Sequence, residues 1–335
     1  MTAPTVSVTI VSYNSRAWIG PCLDSVLGQE GVSLEVIVVD NASTDGTQEV
    51  LEKYQDRACV IYHGQNTGFA AGQNLAIRSS SGDWVLTLNP DVLLTPEFAR
   101  TLVEACQRDP RVGAGCGKLL RIRPDFTFYQ ERRIDSVGIY FSPSLRHFDR
   151  GWNDPDDGRY DREEYVCGAS GAAALYRRAM IEDVSVNEEF FDEQFFSYRE
   201  DADVAWRAQL LGWRCLYTPD AVAWHVRRLT AANRRGVSQT VNMHSVKNRF
   251  LMRIKNVTGA VYRRHWWQIT GRDVVVIGAC LFWERSSLRA FGLVWSGVRR
   301  ALAWRKEIMR RRRVSDPYLE HWFDSPSLPG GLPGS

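Results

Sequence analysis

The feature that most constrains this chain is an alternation, running through its first third, of short β-branched runs with amphipathic segments. Residues 6–12 read as a strand and 17–27 carry helical spacing. Residues 34–39 form a continuous apolar run of the kind buried on both faces of a parallel sheet. A second helix over 47–54 opens on the Asp45/Gly46 turn. A strand at 60–62, a glycine-bearing loop, a helix over 71–79 and a strand at 84–88 complete the pattern. This order predicts βαβ units and an open, doubly wound α/β sheet.

Polar, loop-forming residues fall just after the predicted strands: Tyr13 and Asn14, Asp40 and Asn41, Asn89 and Asp91. Open α/β sheets bind ligands outside the carboxyl ends of their strands, so the pattern nominates a site at that edge. Residues 113–161 are rich in Arg, Asp, Gly and Pro and read as an irregular excursion covering the site, with room for a β-hairpin. A second compact block over 165–225 contains the small-residue stretch CGASGAAAL, a helix over 201–211 and a strand over 221–225. Residues 227–257 look helical, and 272–313 look like one or two amphipathic helices. The division expected is a catalytic domain over 1–230, a basic helical region over 231–315 and a partly disordered tail over 316–335, whose last ten or so residues are rich in Pro and Gly.

With 335 residues, 44% hydrophobic and 24% charged, the chain buries a sizeable core, which excludes wholesale disorder. The net charge of +3 conceals an asymmetry, because residues 272–313 hold eleven basic and three acidic residues, a local +8, leaving −5 elsewhere. That distribution suits an anionic surface met by the C-terminal segment and not a nucleic-acid-binding core. The seven cysteines form no CxxC pair and sit mostly in apolar runs, as reduced thiols do in a cytosolic protein. The N-terminus reads as a strand and lacks the basic and apolar regions of a signal peptide. No apolar stretch approaches the ~20 residues that span a bilayer, the longest being 274–283, so the expected location is cytoplasmic and peripheral at the inner face of the plasma membrane.

Five constellations carry the chemistry. In VIVVDNASTDGT, Asp40 ends a buried strand, where a carboxylate can accept a hydrogen bond from a nucleobase imide; a turn-capping Asp fits the same position. In NTGFAAGQN, Gly68 and Gly72 lead into a helix whose N-terminus favours an anionic diphosphate, although glycine turns before helices are common. In WVLTLNPDV, a strand delivers Asn89 and Asp91 on a Pro-bent turn, hard oxygen ligands suited to Mg²⁺ or Mn²⁺ on a diphosphate, or simply an Asn-Pro-Asp turn. In SYREDADVAWRAQLLG, Ser197 and Glu200 have capping-box spacing, which puts Asp201 in the first turn of a helix. There Asp201 or Glu200 can act as a general base; Asp203 and Arg207 look like a solvated i,i+4 pair. Finally His225 ends a strand before Val226-Arg227-Arg228, as a neutral metal ligand with arginines for phosphate, or as a structural histidine.

Taken in this order, VSYN, VDNASTDGT, NTGFAAGQN, LNPDV, GASGAAALYRR, FFDEQFF, the Glu200/Asp201 pair and His225 resemble glycosyltransferase family 2, the inverting GT-A transferases, and especially their rhamnosyltransferase-like branch. The resemblance covers residues 5–230 and implies the GT-A nucleotide-diphospho-sugar transferase fold, a Rossmann-like, mostly parallel mixed sheet, with a C-terminal helical extension. It implies a nucleotide-sugar donor (dTDP- or UDP-linked) bound by Val11, Tyr13, Asn14, Asp40, Asn41, Asn66, Gly68, Asn74 and Asn89. A divalent Mg or Mn would be held by Asp91 and His225, and Asp201 would be the catalytic base with Glu200 beside it. Asn89 departs from the commonest Asp-x-Asp pattern and lowers the local negative charge. A first-turn position and a nearby cation would depress the Asp201 pKa.

The aromatic and basic residues of 274–313 fit an interfacial helix on anionic lipid, presenting the site to a glycan or polyprenyl-linked acceptor; packing on the catalytic domain with a solvated basic face is the alternative. Rhamnose from dTDP-rhamnose is the donor that the likeness suggests, with UDP-sugars open. A catalytically silent nucleotide-sugar-binding scaffold is a reading from another class, and an NAD-type dehydrogenase is disfavoured because Tyr13-Asn14-Ser15 stands where its glycine fingerprint would be.

Overall fold

The computed structural model describes residues 5–227 and 239–324. Its first half follows the predicted order: β1 (Thr5–Ser12), α1 (Ile19–Leu27), β2 (Ser33–Asp40), α2 (Thr47–Leu51), β3 (Cys59–Tyr62), α3 (Gly68–Arg78) and β4 (Trp84–Leu88). These strands lie parallel in the order β3, β2, β1, β4. Seven of the eight residues of β1 are buried, because helices cover both faces of the sheet. Helix α1 turns Ile19, Cys22, Leu23 and Val26 onto it at helical spacing.

Beyond β4 come β5 (Val92–Leu94), α4 (Phe98–Gln107) and β6 (Val112–Arg121). Strand β6 corrects the expectation of an irregular excursion from residue 113, since all but its last residue is buried. Its glycines hid it: a Cβ on Gly117 would sit 2.2 Å from the carbonyl oxygen of Ala221, so the close approach of the neighbouring strand requires a residue of poor strand propensity. The excursion proper contains β7 (Ile134–Ser136) and the expected hairpin, β8 (Ile139–Phe141) with β9 (His147–Asp149).

Strands β10 (Glu164–Val166), β11 (Ala173–Arg177) and β12 (Arg214–His225), with helices α5 (Arg178–Val184) and α6 (Glu200–Leu210), complete the mixed sheet. Strand β11 inserts antiparallel between β4 and β6, and β12 runs parallel to β6. Strand β12 is therefore seven residues longer at its start than the strand expected over 221–225.

The C-terminal part is helical: α7 (Gln239–Asn256), α8 (Gly259–Phe282), α9 (Arg289–Arg311) and α10 (Asp316–Asp324). These helices share one core with the sheet. Leu251, Met252, Trp304, Ile308, Leu319 and Phe323 join Phe141, Phe190 and Trp206 in a single cluster. Each such side chain contributes about 1.5–3 kcal/mol of burial. The boundary expected at residue 230 lies outside the described residues. So do residues 325–335, where a disordered end was expected; residues 316–324 form α10. Among the described residues no helix is long and apolar enough to cross a membrane. Six cysteines are buried, whereas Cys59 is exposed.

Candidate active site

The carboxyl ends of β1, β2 and β4 converge, with Ser12 in register with Asp40, and Leu88 with Ile10 and Ala173. Asp40 is fully buried. Its Oδ1 accepts the Ser43 hydroxyl at 2.5 Å, and its Oδ2 accepts the Gln48 amide at 2.8 Å and the Ser43 N–H at 3.1 Å. Asn14, held at φ +49°, accepts from the Thr44 N–H and donates its own N–H to Ser43 Oγ. Tyr13 stands exposed beside it, and Val11 lies at the buried end of β1.

The side chains after β2 and β3 are braces. Asn41 donates to the Gly68 carbonyl at 2.9 Å, and Asn66 accepts the Gly68 N–H at 2.9 Å. Gly68 has φ +87°, and a Cβ there would lie 2.4 Å from the Phe196 carbonyl oxygen, so a side chain is excluded on both counts. Asn74, expected to touch donor, is buried and bonds both the N–H and the carbonyl of Phe191 at 2.9 and 2.7 Å. Its amide is used to tie α3 to the loop preceding α6.

The Asn89-Pro90-Asp91 turn sits between β4 and β5. The Asn89 backbone N–H donates to Ala172 O at 2.9 Å. Pairing of β5 with β12 puts His225 across from Val92, and the Asp91 carbonyl accepts the Val226 N–H. His225 Nε2 thereby comes to 3.4 Å from Asp91 Oδ1, a buried oxygen with no hydrogen bond. On its other side, His225 Nδ1 is 2.7 Å from Oδ2 of Asp135, a fully buried residue of β7. Asp135 was missed in the sequence reading because it lies in the stretch taken as irregular, and nothing around it marks a strand.

The facing Asp91 and His225, with Asp91 Oδ1 left unpartnered, have the donor chemistry that suits a divalent cation. Burial works to lower the His225 pKa, but Asp135 and then Asp91 outweigh it and push it up to about 10. The two carboxylates thus favour positive charge at the Asp91/His225 junction. A carboxylate behind a ligating histidine sets its tautomer and orientation. Among the described residues no group of three or more His, Cys, Asp or Glu side chains is placed to hold a metal ion. Arg227, expected to meet phosphate, is instead engaged by carboxylates. Its Nε is 2.8 Å from Asp135 Oδ1 and its Nη2 is 2.5 Å from Asp149 Oδ2. Arg228 lies outside the described residues.

Glu200 and Asp201 open α6, but Ser197 does not cap it. The cap position is Arg199, at φ +74° and without a side-chain cap bond. Phe196, Tyr198 and Arg199 all have positive φ, a concentration of backbone strain directly before the acidic pair. Asp201 Oδ2 accepts the Gly171 N–H at 3.0 Å and Oδ1 accepts the Ala202 N–H at 2.7 Å. Glu200 is buried, with Oε2 unpartnered. The expected depression of the Asp201 pKa is overturned: burial raises it, Asp149 adds to the rise, and the Gly171 and Ala202 N–H bonds offset only part. Burial, then the Asp201 charge, pushes Glu200 up to about 8. Asp203 and Arg207 are likewise not a solvated pair; both are fully buried, 2.9 Å apart.

The sequence pattern of glycosyl transferase family 2 matches residues 7–185, more than half of the chain. The chain belongs to glycosyl transferase family 2. Its relatives include the N-acetylglucosaminyl-diphospho-decaprenol L-rhamnosyltransferase of Mycobacterium tuberculosis, 30% identical over 65% of this chain and 75% of that protein. The fold of this family 2 transferase is shared with the crystal structure of S. aureus TarS 1-349 in complex with UDP-GlcNAc, at TM-score 0.57 and 18% identity over 91% of this chain and 89% of that one. It is shared too with GalNAc-T7 crystallised with UDP, GalNAc and Mn²⁺, at TM-score 0.60 and 14% identity over 76% of this chain and 48% of that one. The GT-A architecture expected for this glycosyltransferase, with its helical C-terminal part, is therefore present.

Proposed function

We propose that this transferase moves a sugar, with inversion, from a nucleoside diphosphate donor to a hydroxyl of a lipid-linked or polysaccharide acceptor in bacterial cell-surface glycan synthesis, with dTDP-rhamnose as the donor. The observation that carries the reading is the short bridge between the two halves of the site. Asn89 is bonded to Ala172, and the adjacent Gly171 is bonded to Asp201. The turn bearing Asp91 and the base are thus tied to neighbouring residues of one loop. Likeness to an L-rhamnosyltransferase at 30% identity supports the general activity, glycosyl transfer in cell-surface glycan synthesis.

In this reading Tyr13, Asn14 and Asp40 hold the nucleoside, and Asn41, Asn66 and Gly68 shape the loop beside it. Asp91 and His225 would hold Mg²⁺ or Mn²⁺, which when bound offsets charge developing on the departing diphosphate. Asp135 keeps the His225 imidazole turned toward Asp91. Asp201 accepts the proton of the acceptor hydroxyl while that oxygen bonds to the anomeric carbon and the carbon–diphosphate bond breaks on the opposite face. Its raised pKa suits this role, since an ionised carboxylate in a desolvated site is a stronger base than one in water. Glu200, held protonated near neutrality, keeps a second negative charge away from the base.

Calorimetric titration of dTDP-rhamnose, UDP-GlcNAc, UDP-galactose and UDP-galactofuranose with Mn²⁺ tests the donor. Tightest binding of dTDP-rhamnose, with release of dTDP on adding acceptor, is expected. Preference for a UDP-sugar overturns the rhamnosyl reading, and binding without turnover on any acceptor favours a silent nucleotide-sugar-binding protein.

A further inference from the structure

The arginine-rich end of α9, which in sequence looks like the lipid-facing element, is spent on the protein itself. Arg311 donates to the carbonyls of Asp183 and Ser185, Arg313 pairs with Asp183, and Arg312 with Asp316. Trp266, Trp267 and Trp295 are exposed elsewhere on these helices, but the densest run of exposed apolar side chains lies where α8 passes through a short 3-10 turn into α9. There Phe282 and Trp283 are 72% and 81% exposed, and Leu281, Val274 and Val275 stand open on the preceding turns. The same stretch keeps open space around Gly271 and Gly278, where an added Cβ would meet nothing within 4 Å. Large apolar side chains exposed together mark an interaction surface.

Two further features select the occupant. Arg285 and Arg289 are exposed within and just after the turn, and neither is ion-paired among the described residues. Of the two carboxylates near the corner, Asp273 is neutralised by Arg249 and Arg253, and Glu284, exposed beside Trp283, is outnumbered by Arg285 and Arg289. An apolar wedge with tryptophan at its tip and cations at its shoulder has the chemistry of a lipid headgroup boundary. We propose that the α8–α9 corner seats in the interfacial layer of an anionic bilayer, with Leu281, Phe282 and Trp283 among the acyl chains and Arg285 and Arg289 on lipid phosphates. None of the corner residues belongs to the proposed donor site, so this docking is independent of which nucleotide sugar is used.

Co-sedimentation of the full chain with phosphatidylcholine vesicles containing phosphatidylglycerol, and with phosphatidylcholine alone, is the test. The wild-type chain should pellet with the anionic vesicles. Removing both cations (R285A with R289A) should weaken that binding roughly tenfold or more, and F282S with W283S about a hundredfold. These side chains are exposed, so the variants should keep the wild-type melting temperature and donor affinity. Quenching of tryptophan fluorescence by brominated lipid should be lost in the F282S/W283S variant in proportion to its loss of binding. Wild-type chain that stays in the supernatant, or variants that pellet as well as wild type, would overturn the proposal. So would light scattering that shows a dimer converted to a monomer by F282S/W283S, since the corner would then be a protein interface.

Discussion

Lys255 on α7 donates a 2.9 Å hydrogen bond to Asp203 on α6, and both side chains are fully shielded from water. The same ammonium is 2.6 Å from Asp192, while Asn256 and Arg207 take the rest of the Asp203 carboxylate. Asp203 is two residues beyond the proposed base, so the C-terminal helices hold α6 in place. Lys255→Met should leave two buried carboxylates short of a cation and cost about 3–5 kcal/mol, read by urea denaturation. A loss below about 1 kcal/mol would mean that the pair is not buried in solution.

The acidic pair predicts a pH profile. Because Asp201 is raised above its usual range, the acid limb of kcat/KM should lie higher than that of a free aspartate. Asp149→Asn removes the charge that adds to this rise and should move the limb down. Glu200→Gln should leave the acid limb in place and abolish any titration near pH 8. Stability has a definite sign as well. Between the ordinary glutamate pKa of 4.5 and about 8, the folded chain keeps a proton at Glu200 that the unfolded chain releases, so stability falls as pH rises through that window. Glu200→Gln should flatten the fall in urea melts taken across it.

Asp201→Asn should lower transfer by about 10²-fold or more while leaving donor affinity near wild type. Single-turnover kinetics beside calorimetric donor binding separates the two effects. Retained turnover would move the base elsewhere.

Asp135 should control metal affinity without touching the metal. Asp135→Asn should weaken Mn²⁺ binding about 10–100-fold, measured by titration with electron paramagnetic resonance, and more Mn²⁺ should then be needed for half-maximal transfer. Chelator treatment should silence the wild-type enzyme reversibly. A variant that binds Mn²⁺ as wild type does would separate His225 from the metal.

The loop before α6 should depend on Asn248. Its amide nitrogen lies 2.9, 3.0 and 2.7 Å from the carbonyl oxygens of Phe195, Ser197 and Tyr198, bracing the strained backbone. Asn248→Asp keeps the shape and removes the donors; it should cost about 1–3 kcal/mol of stability. It should also lower kcat, with the KM for donor little changed. Equal kcat would show that the strained loop holds itself.

Much of this molecule was legible in the order of its residues. The strands and helices up to residue 88 and the strand-end positions of Tyr13, Asp40 and Asp91 follow from local patterning, because a parallel strand buried on both faces needs an unbroken apolar run. Strand β6 escaped notice because Gly113, Gly115 and Gly117 are there for close packing, which one-dimensional propensity does not record. Asp203 and Arg207 looked solvated because i,i+4 spacing says that two charges meet and not whether α7 covers them.

What the sequence by itself determined was the chemistry on offer: which acids, amides and histidine stand at the strand ends, and in what order. Only the tertiary structure decided how they are used. It set Asp135 behind His225, tied Asn74 to the Phe191 backbone, engaged Arg227 with carboxylates and raised the pKa of Asp201. Each of these depends on burial and on partners distant along the chain, and a charge's cost and reach follow its surroundings, not its neighbours in sequence.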